Sequence, residues 1–223
     1  LHHLVMDYNG TLARDGARPT LAVGLADLDD SSLQAARAAG LPCREFAARA
    51  RERVAGLAAS LGVGEALFPL AGEALDEALA MTRKLMGKGL AYEKLRSVYF
   101  DVARDKAYGR LLGLDMTKLA LGKTVDLDSY AKDHPQDFTL LKRVSLKDLK
   151  AGDVLATAWG NVRPSWFLQM ASAAVRALPA VTVVATDEDK TFPHIENLRA
   201  VWAGGAGLAP AAWLAGGRVC GRE

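Results

Sequence analysis

A chain of 223 residues, half of them apolar and 24% charged, has ordinary globular composition and can bury one large α/β core. Its formal net charge of +2 leaves no overall footprint for nucleic acid, although a local basic face stays open. Only two cysteines, Cys43 and Cys220, are present, which argues against a disulfide framework and for a reducing cytoplasm.

No run approaches the roughly 20 apolar residues of a membrane span, and the N-terminus does not read as a signal peptide. The chain opens on Leu-His-His and stops without a Met start or a natural-looking end, which reads as a fragment or a partly ordered chain. In chain order, the run Leu21 to Leu25 ends in acidic residues and Ser, the pattern of a strand feeding a helix N-cap at Asp29, Asp30 or Ser31. Such a βα unit places a ligand crevice at the carboxyl end of its strand. From 31 to about 90 the pattern is helical, broken at "GLP" (40–42), "GVG" (62–64), "FPLAG" (68–72) and "GKG" (87–89). "SVYFDV" (97–102) alternates like a strand and precedes a polar stretch to about 136; "DFTLLKR" (137–143) reads as a second strand. "WFLQMASAAVRAL" (166–178) has helical spacing and ends at Pro179. "AVTVVA" (180–185) is the best buried-strand candidate, short and β-branched, and "HIENLRAVWAG" (194–204) is a helix entered through Pro193. The Gly- and Ala-rich tail gives no clear element. The order predicts a split, doubly wound α/β fold with strands 20–25 and 180–185 in one parallel sheet.

Six segments, taken in order, resemble the cysteinyl-tRNA synthetase family of class I aminoacyl-tRNA synthetases. "GLADLDD" (24–30) resembles the family's NITDIDD. "GLAYEKLRSVYFDV" (89–102) and "YGRLLG" (108–113) are similar to its GYAYE…VYFDV…YGKLSG. "KDHPQDFTLLKR" (132–143), "WGNVRPSWFLQMAS" (159–172) and "DKTFPHIENLRA" (189–200) resemble KRDPxDFALWK, WGxGRPGWHIECSAM and DLxFPHHENEIA. The resemblance covers roughly 16 to 205 and implies a Rossmann-type catalytic domain split by a connective insertion. The expected bounds are 1–97 for the first half with its helical extension, 98–155 for the insertion and 156–223 for the second half.

The resemblance also assigns expected roles. In the family, a zinc ion held by two Cys, a His and a Glu binds the thiolate of substrate cysteine. His194 matches the ligand His, but Leu198 stands at the Glu position, Met170 at one Cys position, and no CGPT-like segment is present. One ligand of four cannot hold such a zinc, and a thioether carries no charge, so no metal is expected here. His194 then reads as a polar pocket or helix-capping residue, Met170 as core or pocket, and Glu196 as a macrodipole partner or a functional group. Trp166 matches the Trp lining the amino-acid pocket, and Ala26 replaces a Thr near the substrate, so Ala26, Trp166, Met170, His194 and Leu198 are the substrate-side candidates.

On the nucleotide side, His2 and His3 resemble the end of the HIGH motif, His3 being the catalytic candidate and His2 standing where a Gly is usual. "TDED" (186–189) occupies the Gly-Gly-x-Asp position, which makes Asp187 and Asp189 candidates, Asp189 matching the ribose-binding residue. No KMSKS-like loop is visible. The resemblance implies ATP and Mg²⁺ as cofactors and an amino acid as substrate. The acyl acceptor implied is tRNA or a small amine, as in the family's mycothiol-pathway relatives; a non-catalytic nucleotide- or protein-binding module is the competing reading.

Overall fold

The computed structural model describes residues 20–63, 65–116, 132–144, 149 and 154–217. Two short parallel pairs carry the α/β character. In the first, β1 (Leu21–Ala22) pairs with β2 (Ala66–Leu67), and a bridge from Leu25 to Leu70 extends the contact. Between them run α1 (Asp30–Ala38) and α2 (Cys43–Ser60). Asp29 caps α1, its carboxylate accepting from the backbone N–H of Ser32 at 2.7 Å, which satisfies one of the orphan donors of a helix start.

Helix α3 (Leu75–Gly87) leads into a five-stranded antiparallel sheet. Its strands are β3 (Ala91–Lys94), β4 (Ser97–Phe100), β5 (Phe138–Arg143), β6 (Leu155–Thr157) and β7 (Gly160–Pro164), in the order β3-β4-β5-β7-β6. The β3–β4 hairpin turns on Leu95 and Arg96, both at positive φ (52° and 64°). Two-residue hairpins need that backbone, but Asn-Gly is the usual way to supply it; here Glu93 accepts from the N–H of Arg96 at 2.8 Å. Asp137, 1% exposed, ties the sheet to its loops: it accepts from the Tyr92 hydroxyl (2.7 Å) and the Val102 N–H (3.1 Å). Burial first, and then the carboxylates of Asp137 and Asp133, push the Tyr92 hydroxyl above its ordinary pKa.

After the sheet, α4 (Trp166–Ala177) is capped by Ser165, then β8 (Val183–Asp187) and β9 (Ala212–Gly216) form the second parallel pair around α5 (Glu196–Val201). Strand β8 lies two to three residues later than the sequence pattern placed it, and β9 falls in the tail that carried no signal. The core joins one face of the antiparallel sheet (Val98, Phe100, Phe138, Leu140, Val162) to α3, α4 and α5 through Leu85, Leu168, Leu198 and Val201. Trp202 donates its indole N–H to Ala171 O at 3.1 Å. Gly204 and Gly205 let the chain after α5 press on α3: a Cβ at Gly204 would meet Leu85 Cδ2 at 2.5 Å, and one at Gly205 would meet Met81 Cβ at 3.0 Å.

One expectation needs correcting. Strands near 20–25 and 180–185 do not share a sheet among the described residues; they belong to two separate pairs, β1–β2 and β8–β9. Each strand pairs instead with the strand that returns from its own helical crossover, the ordinary outcome of a βαβ unit. No described strand hydrogen-bonds to both pairs.

Candidate active site

The acidic turn after β1, the N-terminus of α4 and the segment after β8 meet at the carboxyl ends of the parallel strands. Gln169, 1% exposed on α4, holds the first two together. Its Oε1 accepts from the Leu28 N–H at 3.1 Å, and its Nε2 donates to Pro164 O at 3.0 Å, so both ends of a buried amide are satisfied. Arg163 of β7, 8% exposed, adds an ion pair to Asp30 at 2.6 Å. Asp27, in the same turn, accepts from the Gly72 N–H at 2.8 Å, and a Cβ at Gly72 would lie 2.7 Å from its other oxygen. Burial raises the Asp27 carboxyl above its ordinary pKa, with the Gly72 N–H opposing the shift.

Trp166 opens α4 and meets His194 edge-on, ring centroids 5.5 Å apart, while Phe167 lies 5.7 Å from the same imidazole. Burial first, and then the charge of Lys190, hold the His194 pKa below the ordinary imidazole value; Asp187 pulls it the other way. His194 Nδ1 and Asp187 Oδ1 are both buried without a hydrogen-bond partner among the described residues. Asp187 ends β8, in register with Gly216 of β9. Trp166 also lines a pocket of about 280 Å³, walled by the acidic turn, Phe138, Arg163 and the Phe192-Pro193 turn.

The remaining sequence candidates are dispersed around this centre. Met170 is half-buried on α4 and turns back to β1, its sulfur 3.0 Å from where a Cβ at Gly24 would sit, two residues before the half-buried Ala26. Leu198, 6% exposed, is part of the apolar core. The structure thus brings Trp166 and His194 together, with Asp187 acting on the imidazole, and gives Met170 and Leu198 packing partners. His2 and His3 lie outside the described residues, as does the side chain of Asp189. At the three described positions matched to zinc ligands by the resemblance stand an imidazole, a thioether and an alkyl chain, of which only the imidazole is a usual zinc ligand. Among the described residues no three His, Cys, Asp or Glu side chains cluster in a way that could hold a metal ion.

Two residues of the His-x-Glu-Asn segment have definite work elsewhere. Glu196, 0% exposed, accepts from the Leu112 N–H at 3.0 Å and from Arg199 Nε at 3.3 Å. Arg199 also pairs with Asp105 at 2.5 Å. Asn197, 2% exposed, accepts from the Tyr108 hydroxyl, whose pKa is pushed up by burial and then by the charge of Glu196. Both side chains dock the 105–113 loop on α5. Tyr108 and Asn197, 89 residues apart, lie in two of the motifs quoted above, but their contact is visible only in the fold.

The comparisons with known proteins show the family. The profile described as "tRNA synthetases class I (C) catalytic domain" matches residues 12–218. This chain belongs to that family. Its fold is therefore the class I catalytic fold, of which the described residues display the parallel pairs and the antiparallel sheet. Among similar proteins, the cysteine–tRNA ligase of Methanosarcina acetivorans is 34% identical over 185 residues, 82% of this chain and 39% of the relative. That of Methanosarcina mazei is 32% identical over 200 residues, 89% of this chain and 42% of the relative. That of Symbiobacterium thermophilum is 34% identical over 188 residues. The chain spans about two-fifths of the length of these curated relatives. No described helix is long and apolar enough to cross a membrane.

Proposed function

We propose that this chain forms the catalytic part of an ATP-dependent, cysteine–tRNA-ligase-like enzyme. It activates an amino acid to an aminoacyl-adenylate and passes the acyl group to tRNA. In the first step a carboxylate oxygen of the amino acid attacks the α-phosphorus of ATP, and the bond from that phosphorus to the α,β-bridging oxygen breaks to release pyrophosphate. Mg²⁺, when bound, neutralises charge on the triphosphate. The chain's own residues position and exclude water: Trp166 walls the amino-acid side, Gln169 fixes the acidic turn against α4, and His3 and Asp189 are assigned to the nucleotide by their motif positions. No nucleophilic side chain is required, because positioning and electrostatics carry such a transfer.

The observation that carries this reading is the convergence of Trp166, His194 and the Gln169-clamped acidic turn at the strand ends. The zinc-based selection of cysteine is lost in this proposal, since Met170 and Leu198 replace two anionic ligands, and the side-chain pocket is less polar than a cysteine-specific one. ATP–pyrophosphate exchange across all twenty amino acids tests both parts. Exchange with one or several apolar or thioether amino acids is expected; strict dependence on cysteine would overturn the loss of zinc selection. A non-catalytic nucleotide- or protein-binding module is the second reading, favoured by Thr186 and Asp187 at positions where the family has glycines. It predicts no exchange with any amino acid. A ligase acting on a small amine remains the variant in which exchange occurs and tRNA is not charged.

A further inference from the structure

Five rings, from the 105–113 loop, β5, α4 and the segment after β8, line the cavity of about 280 Å³: Tyr108, Phe138, Trp166, Phe167 and Phe192. Tyr108 and Phe138 are buried, and the other three are half-buried. Phe167 meets Phe138 edge-on at 5.4 Å between centroids and Trp166 at 5.8 Å, so these three rings brace one another. The charged side chains on the same wall are already engaged by the protein. Asp30 pairs with Arg163 at 2.6 Å and with Lys142 at 3.6 Å, Asp29 caps α1, and Asp137 accepts from Tyr92 and Val102. Lys132 is engaged as well. What the cavity offers a ligand is therefore aromatic surface, which suits a planar apolar group better than a phosphate. Its volume lies at the small end of ligand pockets, roughly 300–1,000 Å³, and matches one ring system better than a whole nucleotide. In the alignment quoted above, Phe167 stands where the family motif has His, so this wall is apolar where the motif carries an imidazole.

We propose that this cavity receives the side chain of the amino acid being activated, that this side chain is aromatic, and that Phe167 is a specificity-determining residue. Of the substrate-side candidates, Leu198 belongs to the core and Met170 packs toward Gly24, whereas Trp166 is on the cavity wall. A ring placed there meets Trp166, Phe167 and Phe192 and leaves the ion pairs of the wall intact. The proposal rests on the aminoacyl-adenylate reading above and narrows its apolar substrate to one class.

Calorimetric titration of the 223-residue chain with phenylalanyl-, cysteinyl- and alanyl-sulfamoyl adenosine, which differ only in the side chain, is the test. Wild type should bind the phenylalanyl form at least about tenfold more tightly than the alanyl form, as burial of a whole aromatic side chain provides. Thr139 lines the same cavity from β5. Thr139→Phe, which fills the space, should bring the phenylalanyl-to-alanyl ratio to within about twofold, and Thr139→Val should keep it. Phe167→His should lower the same ratio, which a loss of overall stability would not do selectively. A wild-type ratio near one overturns the proposal, as does tightest binding of the cysteinyl form. A preference that survives both Thr139→Phe and Phe167→His puts the side chain elsewhere and also overturns it. Should Thr139→Phe not fold, the wild-type ratio and Phe167→His decide. Failure of all three analogues to bind overturns the adenylate reading, and the proposal falls with it.

Discussion

Two stretches only ten residues apart treat buried polarity in opposite ways. Around α5, Glu196 and Asn197 are almost fully buried and fully engaged, with the Leu112 N–H, Arg199 and the Tyr108 hydroxyl as partners. At the end of β8, Asp187 and His194 bury an oxygen and a nitrogen that nothing among the described residues meets. The first arrangement stabilises the fold, because removing one member strands the others. The second costs stability and is the kind of feature retained where a ligand completes it. Neighbouring residues of one motif-bearing segment thus differ in whether the fold itself satisfies their buried polar atoms.

The comparison is most easily broken at Glu196. Glu196→Ala leaves the Leu112 N–H without its acceptor and deprives Arg199 of one of its two carboxylates, and should cost about 3–5 kcal/mol. Urea denaturation would register this as a lower midpoint at unchanged slope. An unshifted midpoint would mean that the loop at 105–113 docks by other contacts. Tyr108→Phe is the milder version: it strands the Asn197 oxygen and should cost about 1–3 kcal/mol in the same assay.

Asp187→Asn should behave oppositely, changing stability by less than about 0.5 kcal/mol or raising it, since it removes a charge whose Oδ1 is buried without a hydrogen-bond partner among the described residues. A loss comparable to that of Glu196→Ala would erase the contrast between the two stretches. The smallest effect concerns pH. His194 has a folded pKa below its ordinary value of 6.5, so the folded state resists protonation and the unfolded chain takes up the proton first. Stability should therefore be full above about pH 6.5 and fall as pH drops from there toward the folded pKa. Thermal melts of wild type and His194→Gln between pH 5 and 8 should differ in slope only below that point.

Much of the frame was legible in the residues. Helices α1, α3 and α4 announced themselves through caps, apolar spacing and glycine breaks, and β5 through its apolar run. Strand β3 escaped because its hairpin turns on Leu95 and Arg96, with no Asn-Gly to signal it. Strand β9 escaped because Ala212–Gly216 has no β-branched residue; its pairing with β8 makes it a strand. At the site, motif order located Trp166 and His194, and their contact followed. The core position of Leu198 and the return of Met170 toward Gly24 were not legible, because side-chain direction depends on helix rotation that spacing alone leaves free. Nor could the sequence reveal the unpartnered atoms of Asp187 and His194, since burial without a partner is a property of the assembled fold.

The close approach of Gly204 to Leu85 has a bearing on how this protein can vary. A methyl group at 204 would sit 2.5 Å from the Leu85 side chain, so the fully buried Leu85 would have to move to admit it. A side chain at 204 would require the Leu85 side chain, and Leu90 beside it, to shift or shorten. Positions 85 and 204 should therefore drift as a linked pair across relatives, with small residues at one accompanying large residues at the other, even though 118 positions separate them along the backbone.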